Sequence, residues 1–320
     1  MKPSQKRKSE LFVYNRTLAK KNLKSNNSFS FSLISEAYSS QLYVFDIKKV
    51  LYHIKAISGN IFEPDITTVL VASRMSLRSK PSADRISDIY VELKKRLKNR
   101  CPDYYIQYAA CILSEYTNMQ AARIAYLAAK QMESIRANRS EAMYCDNDFI
   151  IACLLALYNH RHRDRISDDI AECIEELKAR GISLGTAKHV ARILAFGNGV
   201  ASARCDRFIR LAELLKERDA NIGTGKEMSA VAFAALIDVP DETLADSIAE
   251  INNYLAHNKY LDAKVNGSKR VMYSVLIACT DIMEDIDEPS YKLIKEATLA
   301  NILSLEIAHV GGTYYYLIQV

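Results

Sequence analysis

A chain of 320 residues, 49% hydrophobic and 25% charged, has the composition of a protein that buries a large core. Its net charge of +5 is small and sits at one end, because residues 1–25 hold eight cations against Glu10 alone. Ten glycines and six prolines are few for a turn-rich β fold. No apolar run approaches the roughly 18 to 20 residues of a membrane span.

In chain order, the first element is that basic segment, 1–25, which opens Met1-Lys2-Pro3-Ser4-Gln5-Lys6-Arg7-Lys8 and is read as partly helical. No apolar core follows it as in a secretory signal, so a cytoplasmic location is expected. Its charge would suit nucleic acid or anionic lipid, although a solvated terminus explains it as well. Further helices are expected around Asp46–Ile57.

A repeat array follows. Asp84-Arg85-Ile86-Ser87-Asp88 returns unchanged as Asp164-Arg165-Ile166-Ser167-Asp168, 80 positions later. An apolar stretch precedes each copy and recurs a third time, which aligns Ala72, Ala152 and Ala232. Val69-Leu70-Val71-Ala72, Phe149-Ile150-Ile151-Ala152 and Met228 through Ala232 are apolar nearly all round, as a helix between neighbours must be. The helix after each is amphipathic: Ile86, Ile89, Leu93 and Leu97 in the first copy, Ile166, Ile170, Cys173, Ile174 and Leu177 in the second. Ile248-Ala249-Glu250 matches Ile170-Ala171-Glu172 after a two-residue shortening. A second half of each unit aligns Ala110, Ala191 and Ser274.

Each unit of about 80 residues is thus two helix pairs, in the period range of α-solenoids, and the whole should hold about 14 to 16 helices. The six prolines are each followed by Asp or Ser, which marks helix starts. Gly181 and Gly197-Asn198-Gly199 supply stops. The expected fold is all-α: a solenoid of stacked antiparallel helix pairs of the HEAT or TPR kind. One repeat domain would cover 26–320, with units at about 64–143, 144–222 and 223–300.

The segments Asp148-Phe149-Ile150-Ile151-Ala152-Cys153-Leu154-Leu155-Ala156-Leu157, Glu175-Glu176-Leu177-Lys178-Ala179-Arg180-Gly181 and His189-Val190-Ala191-Arg192-Ile193-Leu194-Ala195 resemble a bacterial family of uncharacterised helical proteins. It is the domain-of-unknown-function family numbered four thousand and three. The resemblance runs over roughly residues 10 to 305 and is strongest in the middle unit. It implies a cytosolic helical protein and brings no catalytic residue with it.

Each candidate site also has a plain structural role. Lys94, Lys95 and Arg96, with Lys98 and Arg100, close one helix ahead of Tyr104 and Tyr105. Cations beside aromatics suit a nucleic-acid backbone and its bases, yet cations also belong at a negative helix C-terminus. His160 and His162, near Asp164, would begin a metal or phosphate site, but no further ligand pair has the spacing to complete one, so no metal is expected. Asp281, Glu284, Asp285, Asp287 and Glu288 read as a polar inter-helix loop whose charge could pair with a basic surface on another copy. The seven cysteines form no C-x-x-C and read as buried reduced thiols.

No nucleotide-binding, hydrolase or zinc-protease motif is present. The sequence therefore points to a macromolecule-binding scaffold with another protein as partner and no cofactor. Nucleic-acid binding through a basic groove is the alternative, and an enzyme with a site hidden from sequence is the third reading. The exposed positions to watch are Tyr104, Tyr105, His160 and His162. The oligomeric state stays open.

Overall fold

The computed structural model describes residues 1–22, 43, 46, 48–49, 66–77, 83–97, 101–137, 144–145, 147–157, 166–261, 265, 267–286 and 289–310. Among them are thirteen α-helices and no strand. They are α1 (Pro3–Asn22), α2 (Ile66–Leu77), α3 (Ala83–Leu97), α4 (Asp103–Tyr116), α5 (Ala121–Arg136), α6 (Asp148–Leu157), α7 (Ile166–Ala179), α8 (Leu184–Leu194), α9 (Ala201–Glu217), α10 (Ser229–Ala234), α11 (Asp241–Ala256), α12 (Gly267–Asp285) and α13 (Pro289–Val310). The expected helices around Asp46–Ile57 lie almost wholly outside the described residues.

Helix boundaries follow local chemistry. Pro102 and Pro240 stand immediately before α4 and α11, while Pro3 and Pro289 are first residues of α1 and α13. A proline there loses no helical hydrogen bond, because the first N–H groups have no partner within the helix. Gly181 ends α7 at φ +83°, with its N–H donating to the Lys178 carbonyl and Ile182 N–H to the Leu177 carbonyl, both at 3.0 Å. That pair of bonds satisfies carbonyls the helix end would leave open.

The chain clusters into two compact units, 18–160 with 303–320 and 1–17 with 161–302. In the first, α2 adjoins α4 and α4 adjoins α6, while α3 adjoins α5. In the second, α8 adjoins α10 and α10 adjoins α12, while α7 adjoins α9 and α9 adjoins α11. Even-numbered helices therefore neighbour even ones and odd neighbour odd, while consecutive helices such as α3 with α4, α5 with α6, α7 with α8 and α11 with α12 also adjoin.

Burial divides the same way. Residues 105–114 of α4 and 148–156 of α6 are buried without a break. The odd helices α3, α5, α7, α9 and α11 bury one stripe each and leave charged residues on the other side. A helix apolar all round is stable only when enclosed, which explains why these two kinds of sequence alternate. Each fully buried Leu or Ile adds about 1.5–3 kcal/mol, so α6 is held by its surroundings rather than by propensity. Ala72, Ala152, Ala232, Ala110, Ala191 and Ser274 are all at 0% exposure, as the alignment of small residues requires.

The basic N-terminal helix is docked rather than free. Gln5 donates to Ser247 of α11 at 2.8 Å, and Phe12 lies against Tyr273 of α12 with ring centroids 5.0 Å apart. Lys8 donates to Asp281 at 3.2 Å and to Glu284 at 2.7 Å. This corrects the reading of the acidic stretch as a loop: Asp281, Glu284 and Asp285 belong to α12, and Asp281 is buried. Its charge is answered within the chain because α1 lies along the same helix. Asp287 and Glu288 lie outside the described residues.

Candidate functional site

The outward helices α3 and α5 form an open groove of about 640 Å³, lined by Lys95, Arg96, Tyr126, Ala129, Lys130 and Glu133. Each helix sends a buried stripe inward: Ile86, Ile89, Leu93 and Leu97 from α3, and Ile124, Ala128, Met132 and Ile135 from α5. What remains outward on the last turns of α3 is basic, where the helix dipole favours cations. On α5 the spacing Tyr126–Lys130 places both side chains on one face, since residues four apart overlie each other.

Arg96 sits over the Tyr126 ring, 5.6 Å from its centroid, and Tyr126 is 56% exposed. A guanidinium over an aromatic face adds roughly 0.5–1 kcal/mol at an exposed site and leaves its N–H edge free for an incoming acceptor. Among the described residues neither Arg96 nor Lys130 makes an ion pair, while Lys95 reaches Glu92 only at 4.0 Å. Three cations against Glu133 give the groove a positive balance. It can take an anionic or aromatic group at its surface.

The structure sorts the candidate residues. Lys95 and Arg96 line the groove. Lys94 turns away, donating to Asp103 at 2.8 Å and to the Tyr90 hydroxyl at 3.1 Å, and these two bonds raise its pKa. Tyr105 is not an exposed position: it is 1% exposed, and its ring packs against Tyr104 at 4.6 Å between centroids. It falls on the enclosed side of α4, so it cannot stack on a base. Tyr104 is half-buried. His160 and His162 lie outside the described residues. Tyr126 and Lys130 were missed by the sequence reading; the signal available was their four-residue spacing on a helix next to the Lys94–Arg96 cluster.

A second open groove, about 720 Å³, lies at the end of α11, lined by Met1, Glu250, Asn253, Tyr254, His257, Asn258, Lys259 and Tyr260. It again sets a cation beside an exposed ring, with Lys259 Nζ 5.0 Å from the Tyr260 centroid.

Two buried polar pairs stand out in the interior. Arg74 of α2 and Glu115 of α4 form a buried two-point bridge, Nε–Oε1 at 3.0 Å and Nη2–Oε2 at 2.6 Å. His189 of α8 meets Asn301 of α13, Nδ1 to Oδ1 at 3.2 Å, and Asn301 Nδ2 donates to the His189 carbonyl at 3.0 Å. Desolvation, reinforced by nearby Lys226, lowers the His189 pKa to about 4, so the ring is neutral. No group of three or more His, Cys, Asp or Glu fit to hold a metal occurs among the described residues. Nor is any described helix long and apolar enough to cross a membrane.

Enclosed and outward helices with open, polar, tyrosine-bearing grooves define, among the described residues, an all-helical protein. The chain belongs to the family described as "Protein of unknown function (DUF4003)", whose model matches residues 15–309. The resemblance drawn from the middle unit thus holds across nearly the whole chain. No curated protein and no solved structure matches it.

Proposed function

We propose that this protein is a helical-repeat scaffold that binds another protein through the groove between α3 and α5. The observation that carries the reading is the Arg96–Tyr126 stack, exposed and flanked by Lys95 and Lys130. Tyr and Arg are the residue types that most often dominate binding energy at protein interfaces, because they bury large area with little rotamer loss. The repeat organisation is supported by the recurrence of buried small residues every 80 positions and by the even–even and odd–odd adjacency within each unit. In such an array the enclosed helices hold the outward ones rigid, which lowers the ordering cost of recognition.

The test is a photo-crosslinking amino acid placed at Tyr126 in the producing cell, with Glu213 on the outward side of α9 as control. A discrete protein adduct at 126, absent at 213 and weakened by Arg96→Glu, supports the reading. No protein adduct at 126, or the same adduct at both positions, overturns it.

Nucleic-acid binding is the second reading, favoured by the three cations beside an exposed ring in one groove. Neutralising phosphates releases counterions, so binding of single-stranded DNA or RNA would collapse with added salt. Micromolar binding at low salt that is lost in Lys95→Glu/Lys130→Glu supports it; no binding at low salt ends it.

A further inference from the structure

The middle unit departs from its sister in the core between α7 and α9. With the 80-residue offset, Cys173, Arg204 and Cys205 stand where the first unit has Leu93, Ile124 and Ala125. All six are buried. An aliphatic cluster between two outward helices has become two thiols and a guanidinium, between α7 and α9, which adjoin. Nothing in the repeat's packing asks for that change.

We propose that Cys173 and Cys205 are a peroxide-oxidisable thiol pair, in which Cys173 is attacked first and Cys205 closes a disulfide tying α7 to α9. Arg204 Nη2 lies 3.7 Å from Cys173 Sγ, and Cys205 Sγ lies 3.8 Å from the Cys173 carbonyl. The Cys205 thiol thus donates to the backbone of Cys173 while Arg204 donates to its sulfur. Arg204 is 6% exposed, its Nε has no partner among the described residues, and its nearest carboxylate oxygen, on Asp169, is 3.8 Å away. A buried guanidinium so thinly compensated favours a negative charge beside it, and a thiolate at Cys173 supplies one.

The other thiols show what burial alone does. Desolvation raises Cys153 and Cys279 and pushes Cys101 up to about 12. Cys173 shifts the opposite way, lowered by the neighbouring Cys205 and by Arg204 against the desolvation. Cys205 is raised, chiefly by the neighbouring Cys173 and by burial, with Arg180 lowering and Glu176 raising it more weakly. Cys205 keeps its proton by donating it to the Cys173 carbonyl, while Arg204 donates to Cys173 Sγ, which makes Cys173 the nucleophile and Cys205 the resolving thiol.

The chemistry balances with hydrogen peroxide as the oxidant. The Cys173 thiolate attacks one peroxide oxygen, the O–O bond breaks, and the departing hydroxide takes a proton to leave as water, giving a sulfenic acid. Cys205 sulfur then attacks the Cys173 sulfur, the S–O bond breaks, and a second water leaves with the Cys205 proton. Two thiols and one peroxide give one disulfide and two waters. Access is through the turn at Gly197–Gly199: Arg204 Nη1 donates to the Gly197 and Gly199 carbonyls at 2.7 and 2.8 Å, and Asn198 and Gly199 are exposed. Lifting this turn uncovers the guanidinium and the sulfurs behind it, so the oxidation rate is set by a local opening.

The test treats the purified full chain with hydrogen peroxide at neutral pH and maps its thiols by mass spectrometry without reduction. Two of the seven thiols should disappear first, in a crosslinked peptide pair lighter by two hydrogens that joins positions 173 and 205. Cys205→Ser should leave a sulfenic acid at Cys173, trapped by dimedone, and Cys173→Ser should give neither product. Arg204→Gln, checked by circular dichroism for retained helix, should slow the reaction about tenfold through loss of the thiolate's counter-charge. The proposal is overturned if all seven thiols oxidise together and only in denaturant, or if a different pair, such as Cys101 with Cys153, closes first.

Discussion

Arg74 and Glu115 face each other at 0% and 2% side-chain exposure, and the Arg74 guanidinium also lies over the Tyr108 ring at 5.8 Å. Such a pair adds little net stability over apolar residues, but removing one partner strands the other charge out of water. Glu115→Ala should therefore cost about 3–5 kcal/mol in urea unfolding, and Arg74→Met/Glu115→Leu should cost much less. His189 gives a pH signature. Its pKa falls from 6.5 in the unfolded chain to about 4 in the folded one, so the unfolded state takes up the proton first. Its contribution is full above pH 6.5, shrinks as pH drops towards 4, and amounts to about 3 kcal/mol across that window. Unfolding curves at pH 7, 5.5 and 4.5 should show a larger loss for the native chain than for His189→Gln; parallel losses would mean that His189 is protonated in the fold.

At the scale of the helix, the division between enclosed and outward elements has unequal consequences for one chemical change. Ala191 of α8 is fully buried, and Ala122 of α5 is exposed. Ala191→Leu should lose about 1–3 kcal/mol by overpacking, while Ala122→Leu should stay within about 0.5 kcal/mol. Thermal melts of the two variants distinguish the cases. The enclosed helices were legible in the sequence because packing on every side constrains every residue, so the aligned small positions leave a period that can be counted. The outward surface was legible only in part. Lys95 and Arg96 announced themselves as a run, but Tyr126 answers to no packing constraint, and its one trace is the four-residue spacing to Lys130. The side of α4 taken by Tyr105 was hidden because two adjacent tyrosines give no phase. Lys94 was diverted by Asp103, a partner across the next turn that a run of cations does not suggest.

For the whole molecule, the least legible feature was the docking of α1, whose partners Ser247 and Asp281 lie more than two hundred residues away. A basic terminus and an acidic stretch each looked solvated when read alone. Placed together, they neutralise each other at Lys8. The molecule's tyrosines report the arrangement of enclosed and outward helices directly.

The decisive measurement is nitration of the purified full chain by tetranitromethane, followed residue by residue. Tyr126 and Tyr260, 56% and 66% exposed, should be modified early, while Tyr105, Tyr108 and Tyr273, each 1% exposed or less, should stay unmodified until the chain unfolds. Tyr105 or Tyr108 reacting as fast as Tyr126 would contradict the assignment of enclosed and outward helices and the recognition groove built on it.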